Sequence, residues 1–160
     1  MNERSRIIQE VFYLDGSLRD IYVLGTSEDD WQALLTYLRM SPYPVEYFQG
    51  GEMLGSLPEH AADIFALRDE NSPLSELRID RDRLGLNCHF FTPDEIEFDL
   101  DPKDFQNEEQ VASLLDFMRT IGRVLSKPII LTGENDVQGP LFRYDPATNA
   151  DTWLYEEVES

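Results

Sequence analysis

The chain has 160 residues, of which 41% are hydrophobic and 11% aromatic, and its 32 acidic and 13 basic residues give a net charge of −19. This length and composition suit one folded domain with a single core, and they exclude intrinsic disorder. Acids outnumber Lys and Arg in both halves of the chain. Because phosphate binding needs clustered basic residues, we expect neither nucleic acid nor an anionic membrane as a partner.

The cellular compartment follows from two further features. Cys88 is the only cysteine, which excludes an intramolecular disulfide, and the first sixteen residues lack the apolar segment of a secretory signal. No apolar run approaches the roughly 18 to 20 residues that cross a bilayer. We therefore expect a cytoplasmic protein that does not enter the membrane.

The N-terminal third predicts a strand pair and a helix. Two apolar runs flank Asp15-Gly16 in "IIQEVFYLDGSLRDIYVLG", a pattern typical of a β-hairpin. In "TSEDDWQALLTYLRM", Thr26 or Ser27 can cap a helix whose apolar residues recur at helical spacing. The sequence predicts this helix over 27–40, ending before Pro42.

The middle of the chain predicts a second strand pair and a second helix. "YPVEYFQGGEMLGSL" indicates two strands around the Gly50-Gly51 turn. Pro58 can open a helix over 58–70. Its inner side would be lined by Ala61, Ile64, Phe65 and Leu67.

The C-terminal half predicts more strands and the longest helix. "SELRIDRDRLGLNCHFFTPDEIEFDLD" divides into two or three strands at the turns 80–83 and 92–94, and a single apolar stripe predicts a helix over 107–126 with Asn107 and Gln110 as a capping box. The short strand "PIILT", the loop "GENDVQG" and a last hairpin follow. Short turns join most strands, so we predict a single α+β domain with a largely antiparallel sheet and about three helices on one face.

A row of carboxylates is the most distinctive predicted surface. "EIEFDLD" alternates strictly, so its apolar residues point to the core while Glu95, Glu97, Asp99 and Asp101 point the other way. Pairing across the 92–94 turn places His89 near Glu97 on the acidic side and turns Cys88 towards the core. Like charges at this spacing repel, so water or a cationic partner must cover them.

Candidate catalytic groups are few. Cys88 and His89 point to opposite faces and cannot form a thiolate pair, so Cys88 is interpreted as a buried apolar residue. His89 beside Glu97 fits a general base or a metal ligand, but a cross-strand ion pair is the simpler interpretation. Glu134 and Asp136 lie on a loop after a buried strand, a place where active sites occur, but a solvated turn is the simpler interpretation.

No metal or cofactor is expected. The two histidines and one cysteine do not have zinc-site spacing, and "DLDPKD" lacks the glycine and terminal glutamate of an EF-hand loop. The sequence also lacks a G-x-S-x-G elbow, a phosphate-binding glycine loop followed by Lys, and an H-E-x-x-H motif. We accordingly assign no catalytic residue.

"LNCHFF", "EIEFDLDP", the following amphipathic helix and "ILTGEN" together resemble small acidic bacterial proteins of the toxin-immunity type. The resemblance covers the second half of the chain. It implies a non-enzymatic protein that binds a toxin domain without a cofactor, and it transfers no catalytic residue.

Three functions are compatible with these observations. The first is an acidic module that binds a basic protein, such as a nuclease-like toxin, through Glu95, Glu97, Asp99, Asp101, His89, Glu134 and Asp136. The second is a small enzyme that uses His89 with Glu97, Asp99 or Glu134. The third is a structural or oligomeric protein without a site. The sequence does not specify the oligomeric state.

Overall fold

The computed structural model describes residues 2–66 and 71–155, which form four α-helices, a short 3-10 helix and nine strands. The helices are α1 (Glu3–Val11), α2 (Glu28–Met40), α3 (Ala61–Ala66) and α4 (Glu108–Leu125), and the 3-10 helix is Pro102–Phe105. The strands are β1 (Arg19–Leu24), β2 (Val45–Gln49), β3 (Glu52–Gly55), β4 (Ser75–Ile79), β5 (Leu86–His89), β6 (Glu95–Leu100), β7 (Ile129–Gly133), β8 (Pro140–Asp145) and β9 (Ala150–Trp153). The predicted α+β class is confirmed.

The strands form one sheet in the order β3-β2-β4-β5-β6-β1-β7-β8-β9, and each neighbouring pair is antiparallel. Helix α4 contacts α1 and α2, α2 contacts α3, and α4 also packs on β7 and β8. The helices therefore form one layer on one face of the sheet. We call the opposite face the outer face. At one edge of the sheet lies β3, all four residues of which are exposed.

The core lies between the helix layer and the sheet. Burial alternates residue by residue along β4, β5 and β6, so that Cys88 and Phe98 face each other and both point inwards. The Phe98 ring meets that of Phe117 on α4 edge to face, with centroids 5.8 Å apart. One continuous cluster of buried residues joins all these elements. The inward orientation predicted for Cys88 is confirmed.

The predicted first hairpin is wrong, because its first half is helix α1. Ile7 and Val11, one helical turn apart, are its buried residues, and the Asn2 side chain caps it by accepting a hydrogen bond from the backbone N–H of Ser5 at 2.8 Å. Gly16, at a φ of +85°, turns the chain from this helix into β1. The Asp15-Gly16 signal thus marks a helix-to-strand turn instead of a strand-to-strand turn.

A buried arginine holds the junction between α1 and β1. Arg19 is 2% exposed, and its guanidinium donates to the carbonyl oxygens of Val11 at 2.7 Å and Tyr13 at 3.0 Å. Asp15 lies 3.6 Å from the same group. A cation at the C-terminal end of a helix satisfies carbonyls that have no partner inside the helix. Arg19 therefore fixes α1 against the end of the sheet.

The other helices differ from their predicted bounds mainly at the ends. Helices α2 and α4 lie within the predicted ranges, with Ser27 and Asn107 as the N-cap residues. Helix α3 begins at Ala61 and not at Pro58, and the remainder of its predicted range, including Leu67, lies outside the described residues.

The described part of the chain has no helix with both the length and the apolar composition to cross a bilayer. The strand pairs β2–β3 and β8–β9 confirm the predicted turns.

Replacement of Leu115 by Ala tests the predicted stripe of α4. Leu115 is 6% exposed, so the truncation should lower the free energy of unfolding by about 2 to 5 kcal/mol in chemical denaturation. Val124 on the same helix is 37% exposed and provides the control, because Val124→Ala should change stability by less than about 0.5 kcal/mol. Equal losses in the two variants would contradict the assignment.

Candidate functional site

Side chains of the outer face, most of them polar, form rows that cross the strands. Strict alternation along the central strands sends every second side chain to this face, and strand pairing lines these side chains up from strand to strand. The first row runs from β4 to β8 through Glu76, His89, Glu97, Tyr22, Ile130 and Arg143. The second runs from β4 to β7 through Arg78, Asn87, Asp99, Asp20 and Thr132. Glu95 and Leu24 begin a third.

His89 lies opposite Glu97 in the strand register, as predicted, but its side chain bonds the diagonal neighbour. His89 Nε2 is 2.5 Å from Asp99 Oδ2, and Asn87 Nδ2 donates to the other Asp99 oxygen at 2.9 Å. The ring of His89 stacks on Phe91 with centroids 5.0 Å apart. Glu76 is 3.9 Å from Nδ1. His89 is thus held within a cross-strand ion pair.

Burial and charge have opposite effects on the pKa values of His89 and Asp99. Burial alone would lower the pKa of His89, but the hydrogen bond and charge of Asp99, with Glu76 and Glu97, outweigh it and raise that pKa. For Asp99, burial raises the pKa, but the bonds from His89 and Asn87 lower it below its ordinary value. Both shifts favour the charged pair.

The protein's own cations neutralise one half of the outer face. Arg78 pairs with Glu76 at 3.1 Å and lies 3.8 Å above the centre of the Phe48 ring. Asp101 follows β6 and does not continue its row: its carboxylate accepts from the backbone N–H of Lys103 at 3.0 Å and pairs with that lysine's ammonium at 3.6 Å. Glu76, Asp99 and Asp101 on this side therefore have cationic partners.

The other half of the outer face keeps its negative charge. In residues 2–66 and 71–155, no basic side chain forms an ion pair with Glu95, Glu97, Asp20 or Glu134. Asp20 is only 3% exposed. We call these four residues the uncompensated acids. They come from β6, β1 and the loop after β7.

The hydroxyl of Tyr22 bridges two of the uncompensated acids. It lies 3.1 Å from Asp20 Oδ2 and 3.2 Å from Glu97 Oε1. A hydroxyl carries one hydrogen and can donate to only one carboxylate at a time. Burial, and then the neighbouring carboxylates, raise the pKa values of Asp20 and Glu97. An added cation would stabilise both as anions.

The loop 134–139 approaches this point from the end of β7. The backbone N–H of Asn135 donates to Asp20 at 2.7 Å, and the charge of Glu134 helps to raise the pKa of Asp20. Asp136 is exposed within the loop, where its carbonyl accepts from the Gly139 N–H at 3.0 Å. The structure thus brings Glu134 to the outer-face acids, whereas Asp136 belongs to the turn of the loop.

Sequence reasoning missed Asp20 and Tyr22. They lie on β1, which pairs with β6 although about 75 residues separate the partners. The local signal was weak, because "RDIYVL" does not alternate strictly and its first five residues are all buried. What the sequence did not supply was the pairing of β1 with β6.

A broad groove of about 440 Å³ lies at the neutralised end of the outer face, between the turn after β4 and the 3-10 helix. Its lining includes positive and negative side chains, among them Arg78, Asp99 and Asp101. Each of these three forms one of the ion pairs described above, with Glu76, His89 and Lys103 respectively. Across the described ranges, no three His, Cys, Asp or Glu side chains are grouped to hold a metal ion.

No protein-family model, curated protein or solved structure matches the chain. The geometry of the outer face therefore carries the functional argument, and the resemblance to proteins of the toxin-immunity type enters only as a proposal.

The His89–Asp99 pair should give the fold a specific pH dependence. Because the folded protein raises the pKa of His89, the pair stabilises the fold fully below pH ~6.5, and this contribution declines as pH rises through the folded pKa. The difference in unfolding free energy between the wild type and His89→Gln should therefore be larger near pH ~5.5 than near pH ~8.5. Denaturant titrations at both pH values measure it. An equal difference would contradict the pair.

Cys88 should react with a thiol reagent only when the fold opens. Its side chain is 0% exposed, and burial, followed by the charges of Asp99 and Glu97, raises its pKa well above the ordinary value. We expect slow labelling of the native protein and complete, fast labelling in denaturant. Fast native labelling would place Cys88 outside the core.

Proposed function

We propose that the protein is a non-enzymatic, cytoplasmic binding module that captures a basic protein on its outer face, and that the partner is a toxin of nuclease type. The observation that carries the proposal is the group of uncompensated acids at β6, β1 and the 134–139 loop. The net charge of −19 also attracts a basic partner, and it does so over a longer range. No catalytic residue or cofactor is needed for this role.

Electrostatics favours a cationic partner at this place. Glu97 and Asp20 share one hydroxyl hydrogen, and Asp20 is 3% exposed, so a Lys or Arg side chain reaches Glu97 and supplies the donor and the charge that Glu97 lacks. A nuclease cleft is basic because it receives phosphates, and an acidic protein can occupy it in their place. Opposite charges also increase the rate of encounter between the two proteins.

The rival function is a small enzyme in which His89 acts as a base. The His89–Asp99 hydrogen bond is the observation in its favour, because catalytic histidines are often oriented by a carboxylate. Against it, both ring nitrogens of His89 face carboxylates, Nε2 that of Asp99 and Nδ1 that of Glu76, and among the described residues neither points at a hydroxyl or thiol that it could deprotonate. Cys88 is on the other side of the sheet. A structural role without a binding site would leave the uncompensated acids unexplained. These points favour the binding module.

Affinity purification from the source organism at low salt is the first test. The proposal expects a basic protein to co-purify with the chain and to dissociate as salt is raised, because screening weakens exposed charge pairs. The isolated partner should have nuclease activity that the protein inhibits. Absence of any basic partner from low-salt purifications would overturn the proposal.

The kinetics of association then locate the interface. Glu95→Gln with Glu97→Gln should lower the association rate constant at least about threefold at low salt, and the difference should shrink at high salt. The matched control is Glu28→Gln with Asp29→Asn, which removes the same charge from exposed positions at the start of α2. Surface-based kinetics with the isolated partner provide the rates. A larger effect of the control pair would move the interface to α2.

A third variant separates binding from folding. Asp99 is engaged with His89 and Asn87, so Asp99→Asn should reduce stability more than it changes the association rate. Glu97→Gln should show the reverse pattern. A large loss of association with unchanged stability in Asp99→Asn would assign the cation contact to the neutralised half of the face.

A further inference from the structure

A small apolar groove lies on the outer face directly beside the uncompensated acids. It encloses about 170 Å³ and is lined by Tyr22, Leu24, Pro128, Ile130 and Arg143. Leu24 is 48% exposed although it belongs to a central strand of the sheet. Contiguous apolar surface with polar residues around it is typical of a place where another molecule binds.

The charges on the two rims of this groove differ in sign. On the β6 side, Glu97 is the strand partner of Tyr22, and Glu95 is the strand partner of Leu24. On the β8 side, Arg143 is the strand partner of Ile130, and within the described ranges it pairs with no acid. An incoming basic group is therefore attracted to the β6 rim and repelled from the β8 rim.

We infer that this groove receives one apolar side chain from an extended segment of the partner, with a Lys or Arg of the same segment on Glu95 and Glu97. The inference rests on the proposed function and narrows the partner to a protein whose binding segment carries a basic and an apolar residue close together. Tyr22 serves both contacts, because its hydroxyl bonds the acids and its ring lines the groove.

The dimensions of the groove suit this occupant. An apolar cavity of roughly 150 Å³ holds a molecule the size of benzene, so the groove accommodates one aliphatic or aromatic side chain. Neighbouring strands lie about 4.8 Å apart, which places Glu97 on β6 roughly 10 Å from Ile130 on β7. Side chains two residues apart on an extended peptide are about 7 Å apart, and an arginine is long enough to reach the remaining distance.

Charge complementarity also decides against a second copy of this chain as the occupant. Each copy carries a net charge of −19, and it would have to place its own acids on the acidic rim. Like charges facing each other across an interface disfavour association. A basic segment from a different protein has no such penalty.

Two synthetic peptides test the inference without knowledge of the partner. The probes are acetyl-Gly-Arg-Gly-Leu-Gly-amide and the same peptide with Ser in place of Leu, titrated into the isotope-labelled full chain and followed by NMR. The leucine peptide should bind at least about fivefold more tightly than the serine peptide, because burial of the leucine side chain is favourable. The backbone amides of Leu24 and Ile130 should shift with the leucine peptide.

Variants of the groove provide the matched comparison. Ile130→Thr keeps a β-branched residue and Leu24→Thr introduces one, both at partly exposed strand positions, so the fold should persist. Each variant should reduce the preference for the leucine peptide to less than about twofold. Met53→Thr is the control, because Met53 is 56% exposed on β3 and outside the groove lining. It should leave the fivefold preference unchanged.

The outcomes separate this inference from the proposed function. Equal affinity for the two peptides, with both weakened by Glu97→Gln, would overturn the groove and leave the acidic face as the binding surface. If Glu97→Gln lowered the affinity for neither peptide, the acidic face would be excluded as the binding surface. Failure of the leucine peptide to bind, or amide shifts confined to other parts of the fold, would overturn the groove assignment.

Discussion

The register between β5 and β6 is the constraint on which the rest of the molecule depends. Side chains alternate with a period of two, so a slip of one residue would turn Phe98 to solvent and bring Glu97 into the core. The helix layer prevents that slip, because Phe98 and its inward neighbours pack against α4. The position of the acids on the outer face is thus a consequence of core formation. The proposed binding surface and the stability of the fold depend on the same alternation.

The outer face combines two electrostatic environments on one sheet. Towards β4, ion pairs such as Arg78–Glu76 and His89–Asp99 neutralise the carboxylates and tie the strands together. Towards β1, the donors to Asp20 and Glu97 within the described residues are the Tyr22 hydroxyl and, for Asp20, the backbone N–H of Asn135. Tyr22 lies between the uncompensated acids and the apolar groove. It therefore takes part in both the proposed cation contact and the proposed groove contact. A surface with strong charge beside an apolar depression can discriminate between partners that share only a positive charge.

Local patterns were sufficient to predict much of this fold. The alternation in "EIEFDLD" and the stripe of α4 each lie within one segment, and both predicted elements are present. Helix α1 was predicted wrongly because the Asp15-Gly16 turn signal outweighed the helical spacing of Ile7, Ile8 and Val11, a segment that packs against α4. The acidic row was predictable for the same reason as β6. Its partners were not, since the contacts of Glu97 with Tyr22 and of Asp20 with the 134–139 loop depend on long-range pairing.

The exposed edge strand β3 has a consequence for the behaviour of the protein at high concentration. Its outer backbone groups are unpaired with any strand of the described residues, and Met53 and Leu54 are both about half exposed. Such an edge is a template for pairing between copies, which can lead to aggregation. The large negative charge of each molecule opposes that encounter, and dissolved ions weaken the opposition. Colloidal stability is thus a benefit of the acidic composition that needs no partner, and a high salt concentration would reduce it.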